Sequence, residues 1–110
     1  MTKSGGVVRF KPRVLGVVAA IPQGRVTTYG TIAQHLHITA RQVAFVLATL
    51  TKEESKRIPW FRVVAANGIV SSTKLGSVGR RQIERLQAEG IAVTPRNKVE
   101  DFHEIAWSPG

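Results

Sequence analysis

Between Thr28 and Leu50 the chain holds two amphipathic segments with almost nothing between them, and few architectures accept such a pair. In "GRVTTYGTIAQHLH", Thr28 is placed to cap a helix whose Ile32, Ala33 and Leu36 face inward. After a very short turn, "TARQVAFVLATL" opens at a second cap, Thr39. Its Val43, Val46, Leu47 and Leu50 recur at the i, i+3, i+4, i+7 spacing of a core helix. Two short helices joined by a tight turn specify a helix-turn-helix. At about 100° per residue, Ala40, Ala44 and Ala48 fall together beside the core stripe, with Arg41 next to them near the helix start. That strip is either a smooth surface for close backbone approach, led by a cation at the positive helix end, or an alanine-rich core face beside a solvated arginine. Spacing leaves both open.

Charge narrows the partners. Sixteen Lys and Arg against seven Asp and Glu give a net +9. Such an excess repels itself in a compact state, and a polyanion is the usual partner that offsets it. Nucleic acid is therefore expected. The 110 residues suit one domain, 1–110, with a modest core, and 43% hydrophobic residues mark globular material. The absence of cysteine excludes disulfides and thiol catalysis and fits a reducing compartment. No apolar run approaches the roughly 20 residues that span a bilayer, and "MTKSGGVVRF" carries no secretory core. A soluble, cytoplasmic monomer without membrane contact is expected.

Around the central pair, residues 1–8 read as a loose lead-in and Lys11-Pro12 as the start of a helix. Phe10, Val14, Val17, Val18 and Ile21 share its inner face, and Pro22-Gln23-Gly24 ends it. Residues 52–57 read as a charged loop. "RVVAANGIVSS" is expected to form a hairpin, since Asn-Gly between apolar runs is the strongest short hairpin signal. Ser77 is expected to cap a last helix through Glu89, with Ile83 and Leu86 inward and Gly90 as its stop. Arg80, Arg81 and Arg85 on that helix make either a solvated face or phosphate contacts. The tail, 94–110, reads as irregular, with Phe102, Ile105 and Trp107 anchoring it.

Catalytic chemistry is hard to find. His35 and His37 are two apart, so on a helix they point to nearly opposite sides and make a poor metal pair. His103 lies in the tail, and no zinc pattern exists without cysteine. No Gly-x-Ser-x-Gly elbow or phosphate-binding glycine loop occurs, and no acid/base pair emerges. Neither metal nor cofactor is expected, and the residues favour a binding protein over an enzyme.

The order of these features has a parallel. A helix-turn-helix, then "RIPWFRVV", then an Asn-Gly turn and a helix ending Glu-Gly resembles the C-terminal domain of the O6-alkylguanine-DNA alkyltransferases, from about Phe10 to Gly90. In that family Pro-Cys-His-Arg-Val carries the cysteine that accepts the alkyl group. Here Pro59, Arg62 and Val63 match, but Trp60 stands at the nucleophile position and Phe61 at the histidine. This substitution is similar to that of the alkyltransferase-like proteins, which bind alkylated DNA without repairing it. The resemblance implies a mainly α, winged-helix-like domain with a small β-hairpin.

It also implies roles. "TTYG" matches the segment whose tyrosine turns the target phosphate, so Tyr29 takes that part. "TARQV" matches the recognition helix, so Arg41 would fill the stack that the base has left, with Thr28, Thr39, Ala40, Gln42 and Ala44 against the minor groove. Trp60, Val63 and the loop with Ser71, Ser72 and Thr73 would line the lesion pocket with Tyr29, while Glu89 and Arg62 become structural. The inter-helix turn is shorter than in most alkyltransferases. The implied function is non-enzymatic binding of duplex DNA at O6-alkylguanine, extrusion of the base, and marking for nucleotide excision repair proteins. A bacterial source would make the protein nucleoid-associated. Two rivals differ in kind: a transcriptional regulator reading intact DNA, and a transferase with an unorthodox nucleophile. On packing grounds alone Trp60, Tyr29 and Arg62 also read as core anchors or a buried ion-pair partner.

Overall fold

A computed structural model describes residues 2–71 and 76–110, with side chains from Arg9 onward. α1 spans Thr2–Ala19. The expected lead-in is thus helical from Thr2, because Pro12 removes one N–H and disturbs one turn without ending the helix. β1, Thr27–Thr28, leads directly into α2, Tyr29–Leu36, where Thr28 Oγ1 accepts the Thr31 N–H at 3.0 Å. His37 turns left-handed (φ 60°), and the Ile38 N–H reaches back to the Ala33 carbonyl at 3.0 Å, which closes α2. α3, Ala40–Ala48, opens in a reciprocal cap: Gln42 N–H donates to Thr39 Oγ1 at 3.0 Å and Thr39 N–H to Gln42 Oε1 at 2.9 Å.

Helices as short as α2 and α3 are marginal alone. Packing holds them. Val14 and Val18 of α1, with Ile21 just past its end, bury against Ile32 and Leu36 of α2 and Val43 and Val46 of α3. Each such side chain contributes about 1.5–3 kcal/mol on burial.

The charged stretch expected as a loop is a helix, α4, Lys52–Arg57. Thr51 and Glu54 form a second reciprocal cap (3.1 and 2.9 Å), and Lys11 pairs with Glu54 at 3.1 Å, fastening α4 to α1. One 3-10 turn, Trp60–Arg62, then enters β2, Val63–Val64. β2 pairs in parallel with β1, Thr27 against Val63 and Thr28 against Val64. Successive strand residues point to opposite faces. Val63 accordingly joins the first core, while Val64 joins a second one with Val26, Phe61, Val70, Leu86, Ile91 and Val99. Buried Gln82 donates to the Phe61 and Val63 carbonyls at 3.1 and 3.0 Å, satisfying this short wall from the far side.

The expected hairpin is corrected in its pairing and not in its turn. Asn67 (φ 64°, ψ 16°) and Gly68 (φ 85°) have the positive angles of an Asn-Gly reversal, and Ala65 N–H bonds the Ile69 carbonyl at 2.8 Å. The flanking residues then part. β2 goes to β1, and Ile69 bridges Lys98 of the tail instead. Gly68 also permits close packing, since a Cβ there would lie 3.0 Å from Phe102.

α5 spans Ser77–Ala88, one residue shorter than expected at its end, and its N-cap is Gly76 (φ 73°) rather than Ser77. The tail is more ordered than expected. It contains α6, Phe102–Ile105, and bonds Val26 from both sides: Val26 N–H to Ile105 O at 3.1 Å and Trp107 N–H to Val26 O at 2.7 Å. Phe102 and Ile105 pack on the second core and Trp107 on the first. The result is one mainly helical domain with a two-stranded sheet. No helix among the described residues is long and apolar enough to cross a membrane.

Candidate nucleic-acid interface

Burial resolves the two readings of α3. Val43 and Val46 are buried, Ala44 is partly buried, and Ala40, Arg41, Phe45 and Ala48 are exposed. The alanine strip is therefore an outer surface centred on Arg41, which among the described residues makes no hydrogen bond or ion pair. Thr39 and Gln42 are engaged by the cap, so the Gln42 amide nitrogen, and not its oxygen, is left for a ligand. Phe45, 50% exposed one turn beyond Arg41, extends the same surface with an apolar ring. Sequence reasoning passed over it as part of a core helix; its offset from the Val43–Val46 stripe was the available signal.

Tyr29 is the first residue of α2 because Thr28 caps there. Its ring packs on the first core. Burial raises the phenol pKa, and a side-chain hydrogen bond with Ser71 pulls partly the other way. Tyr29 and Ser71, far apart in sequence, are thus joined. Ser72 and Thr73, with Lys74, lie outside the described residues.

Trp60 begins the 3-10 turn and is half-buried against the second core. It meets Phe61 edge to face, with centroids 6.0 Å apart and planes at 88°. Phe61 is 3% exposed, with the Arg85 guanidinium 4.4 Å and that of Arg62 5.3 Å from its ring centre. No ring–ring contact joins Trp60 to Tyr29 among the described residues. β1–β2 pairing nonetheless makes the segments that carry them neighbours. Val63 does not belong to a pocket wall. It is fully buried in the core, since its strand position points it inward.

Arg62 and Glu89 hold this turn in place. Arg62 Nε donates to both Glu89 oxygens at 3.1 Å, and its Nη1 donates to the Ile21 carbonyl at 2.8 Å. Glu89 also accepts the Gly24 N–H at 3.0 Å. Burial alone would raise the Glu89 pKa; the bonds from Arg62 and Gly24 and the charges of Arg62 and Arg85 outweigh it and hold the carboxyl below its ordinary value. A carboxylate so committed orients no base. Chemically, the surface offers a cation and small side chains on one helix, a half-buried phenol, and an indole backed by a second ring. Among the described residues it offers no nucleophile activated by a neighbour.

A model of the DNA-binding domain of 6-O-methylguanine DNA methyltransferase matches residues 9–91. A protein of Escherichia coli (strain K12) named as a DNA base-flipping protein is 41% identical over 101 residues, covering 90% of this chain and 74% of its own. Alkyltransferase-like protein 1 of Schizosaccharomyces pombe is 32% identical over 105 residues, covering 91% and 95%. The crystal structure of S. pombe Atl1 with damaged DNA containing O6-carboxymethylguanine superposes with a TM-score of 0.79, over 93% of this chain and 97% of that one, at 32% identity.

Proposed function

The chain belongs to the family of the 6-O-methylguanine DNA methyltransferase DNA-binding domain, and within it we propose that the protein binds duplex DNA at O6-alkylguanine, extrudes the damaged base and transfers nothing. The observation that carries this reading is the Trp60–Phe61 pair, two rings in contact where the resemblance puts a thiol and its base. The relatives named for base flipping and the neighbour bound to a lesion support it.

The mechanism follows from the surface. Extruding a base costs a few kcal/mol, and least where pairing is already damaged. An O6-alkyl group removes the guanine N1 proton and spoils the pair with cytosine. Ala40, Ala44 and Ala48 let α3 approach the groove closely, and Arg41 places a planar cation in the vacated stack. Tyr29, with its raised pKa, stays a neutral phenol that can donate to a rotated phosphate. Trp60 walls the extruded base and its alkyl group, and aromatic stacking of this kind is worth about 1–3 kcal/mol per base. With no reaction to end it, the complex persists and marks the lesion. The repair proteins it serves are those of nucleotide excision, and the protein acts as a cytoplasmic monomer, nucleoid-associated if bacterial.

Affinities for otherwise identical duplexes with O6-methylguanine or guanine test this. The lesion duplex should bind more tightly; equal binding refutes lesion recognition, and dependence on the surrounding sequence restores the regulator. Trp60→Cys tests the inactive site. A thiol with a pKa near 8.5 needs a base or cation to activate it, and Phe61 accepts no proton. Intact mass after incubation with the lesion duplex should stay unchanged, whereas methyl transfer adds about 14 Da and would overturn this account.

A further inference from the structure

A cavity of about 390 Å³ opens between the ends of α1, α4 and α5, on residues that include none of the DNA-facing positions of α2 and α3. Its rim carries Lys56, Arg57 and Arg85, and its apolar lining includes Ile58, Pro59 and Ala88. Glu89 also lines it, but that carboxylate is already held by Arg62 and the Gly24 N–H. None of the three rim cations has a carboxylate within 4.0 Å among the described residues. Three like charges around one hollow repel one another and favour an anionic occupant. Arg85 is moreover laid on the Phe61 ring, 4.4 Å from its centre, which fixes the plane of its donors in advance.

We propose that this cavity docks an acidic segment of a partner protein, with one apolar side chain in the hollow and carboxylates on Lys56, Arg57 and Arg85. Size and lining choose the occupant. A duplex is a convex rod roughly 20 Å across and presents phosphate and sugar, which neither enters such a hollow nor uses an apolar floor. One aliphatic or aromatic side chain flanked by Asp or Glu fits both. The partner then binds while DNA occupies α3, which is what a lesion marker requires. The proposal deepens the marking role and rests on that reading for its purpose, whereas the docking itself needs no DNA.

The test uses isotope-labelled full-length protein, free and saturated with duplex, titrated with a capped heptapeptide of Glu and Asp around a central Leu. Amide shifts should fall on Lys56 to Ile58, Phe61 and Arg85 to Glu89, alike in both states, with α3 unmoved. Replacing the central Leu by Ser should weaken binding. Arg57→Gln, an exposed change, and Arg85→Gln should each lower peptide affinity by about tenfold, the size of one charge-assisted hydrogen bond. Duplex affinity should change less than about threefold with Arg57→Gln, an exposed charge outside α2, α3 and the Trp60 turn, since exposed charges are screened beyond roughly 8 Å at physiological salt. Shifts on α3, displacement of the peptide by duplex, indifference to either variant or to the Leu, or no binding at millimolar peptide would each overturn the proposal. Loss of lesion preference with the peptide pattern intact would sink the proposed function and leave the docking site standing.

Discussion

The first core is built mainly by the three consecutive helices α1, α2 and α3, whereas the second gathers residues from Val26 to Ile105 into one cluster. The helical core presents α3 as a stiff platform whose caps lie within three residues of one another. The second core sets Trp60 in place by ties that cross the chain: Arg62 to Ile21 and Glu89, Gln82 to Phe61, Ile69 to Lys98. Reading a groove needs a repeated surface, which local helix geometry provides. Holding an indole at one place needs constraints from several directions, and these come from afar.

The largest test of this division is Leu86→Ala. Leu86 is fully buried in the second core, and its truncation should cost about 3 kcal/mol. Because β2 belongs to both cores, thermal unfolding should remain one transition; two transitions would show that the cores melt separately. Glu89→Gln comes next, at about 2 kcal/mol, because Arg62 loses the partner of a mostly buried pair. The Glu89 carboxyl is depressed in the folded state, so its contribution is present above the ordinary carboxylate pKa and lost as pH falls through the folded value. The wild-type advantage over Glu89→Gln should therefore shrink in acid denaturation series below about pH 4.5, and an advantage constant with pH would remove the charge from the explanation.

Arg41→Ala should sharpen the contrast. Folding stability should stay within about 0.5 kcal/mol, since the residue is exposed and unbonded. Affinity for lesion and control duplexes should drop roughly ten- to a hundredfold, the worth of about 1–3 kcal/mol of lost stacking. Unchanged binding would mean that α3 does not meet DNA. The smallest effect belongs to Thr39→Ala, about 1 kcal/mol from loss of the cap. Hydrogen exchange should quicken at Gln42 and Val43 and leave α5 as it was; an equal rise in α5 would show that the platform is less local than its bonds suggest.

What could be read from the residues follows the same division. Thr28 and Thr39 announced α2 and α3 because a cap and an apolar period are short-range signals. The Thr51-x-x-Glu54 cap was equally present and was overlooked beneath a run of charges. β1 and β2 have two residues each, too few for any period, and their pairing joins residues 36 apart along the chain. Asn67-Gly68 declared its turn correctly, but a turn does not choose partners when a better edge is offered elsewhere. Of the site, Tyr29, Arg41 and Trp60 were visible through the family resemblance. The inward direction of Val63 and the bond from Ser71 to Tyr29 depend on tertiary packing.

The shared wall has a consequence for inheritance. Val63 serves one core and Val64 the other, and the wall between them is only this wide. A single codon gained or lost between Trp60 and Val63 would turn Val63 and Val64 away from the cores they now fill, since a slip of one residue turns every strand side chain to the opposite face. The slots would not refill alike, because a loss brings Ala65 into the place of Val64 and a gain brings Arg62 or the new residue into the place of Val63. Such an indel would leave one core underfilled or burdened with a foreign side chain, so the length of the Trp60 turn is a quantity that mutation cannot vary without cost to the wall.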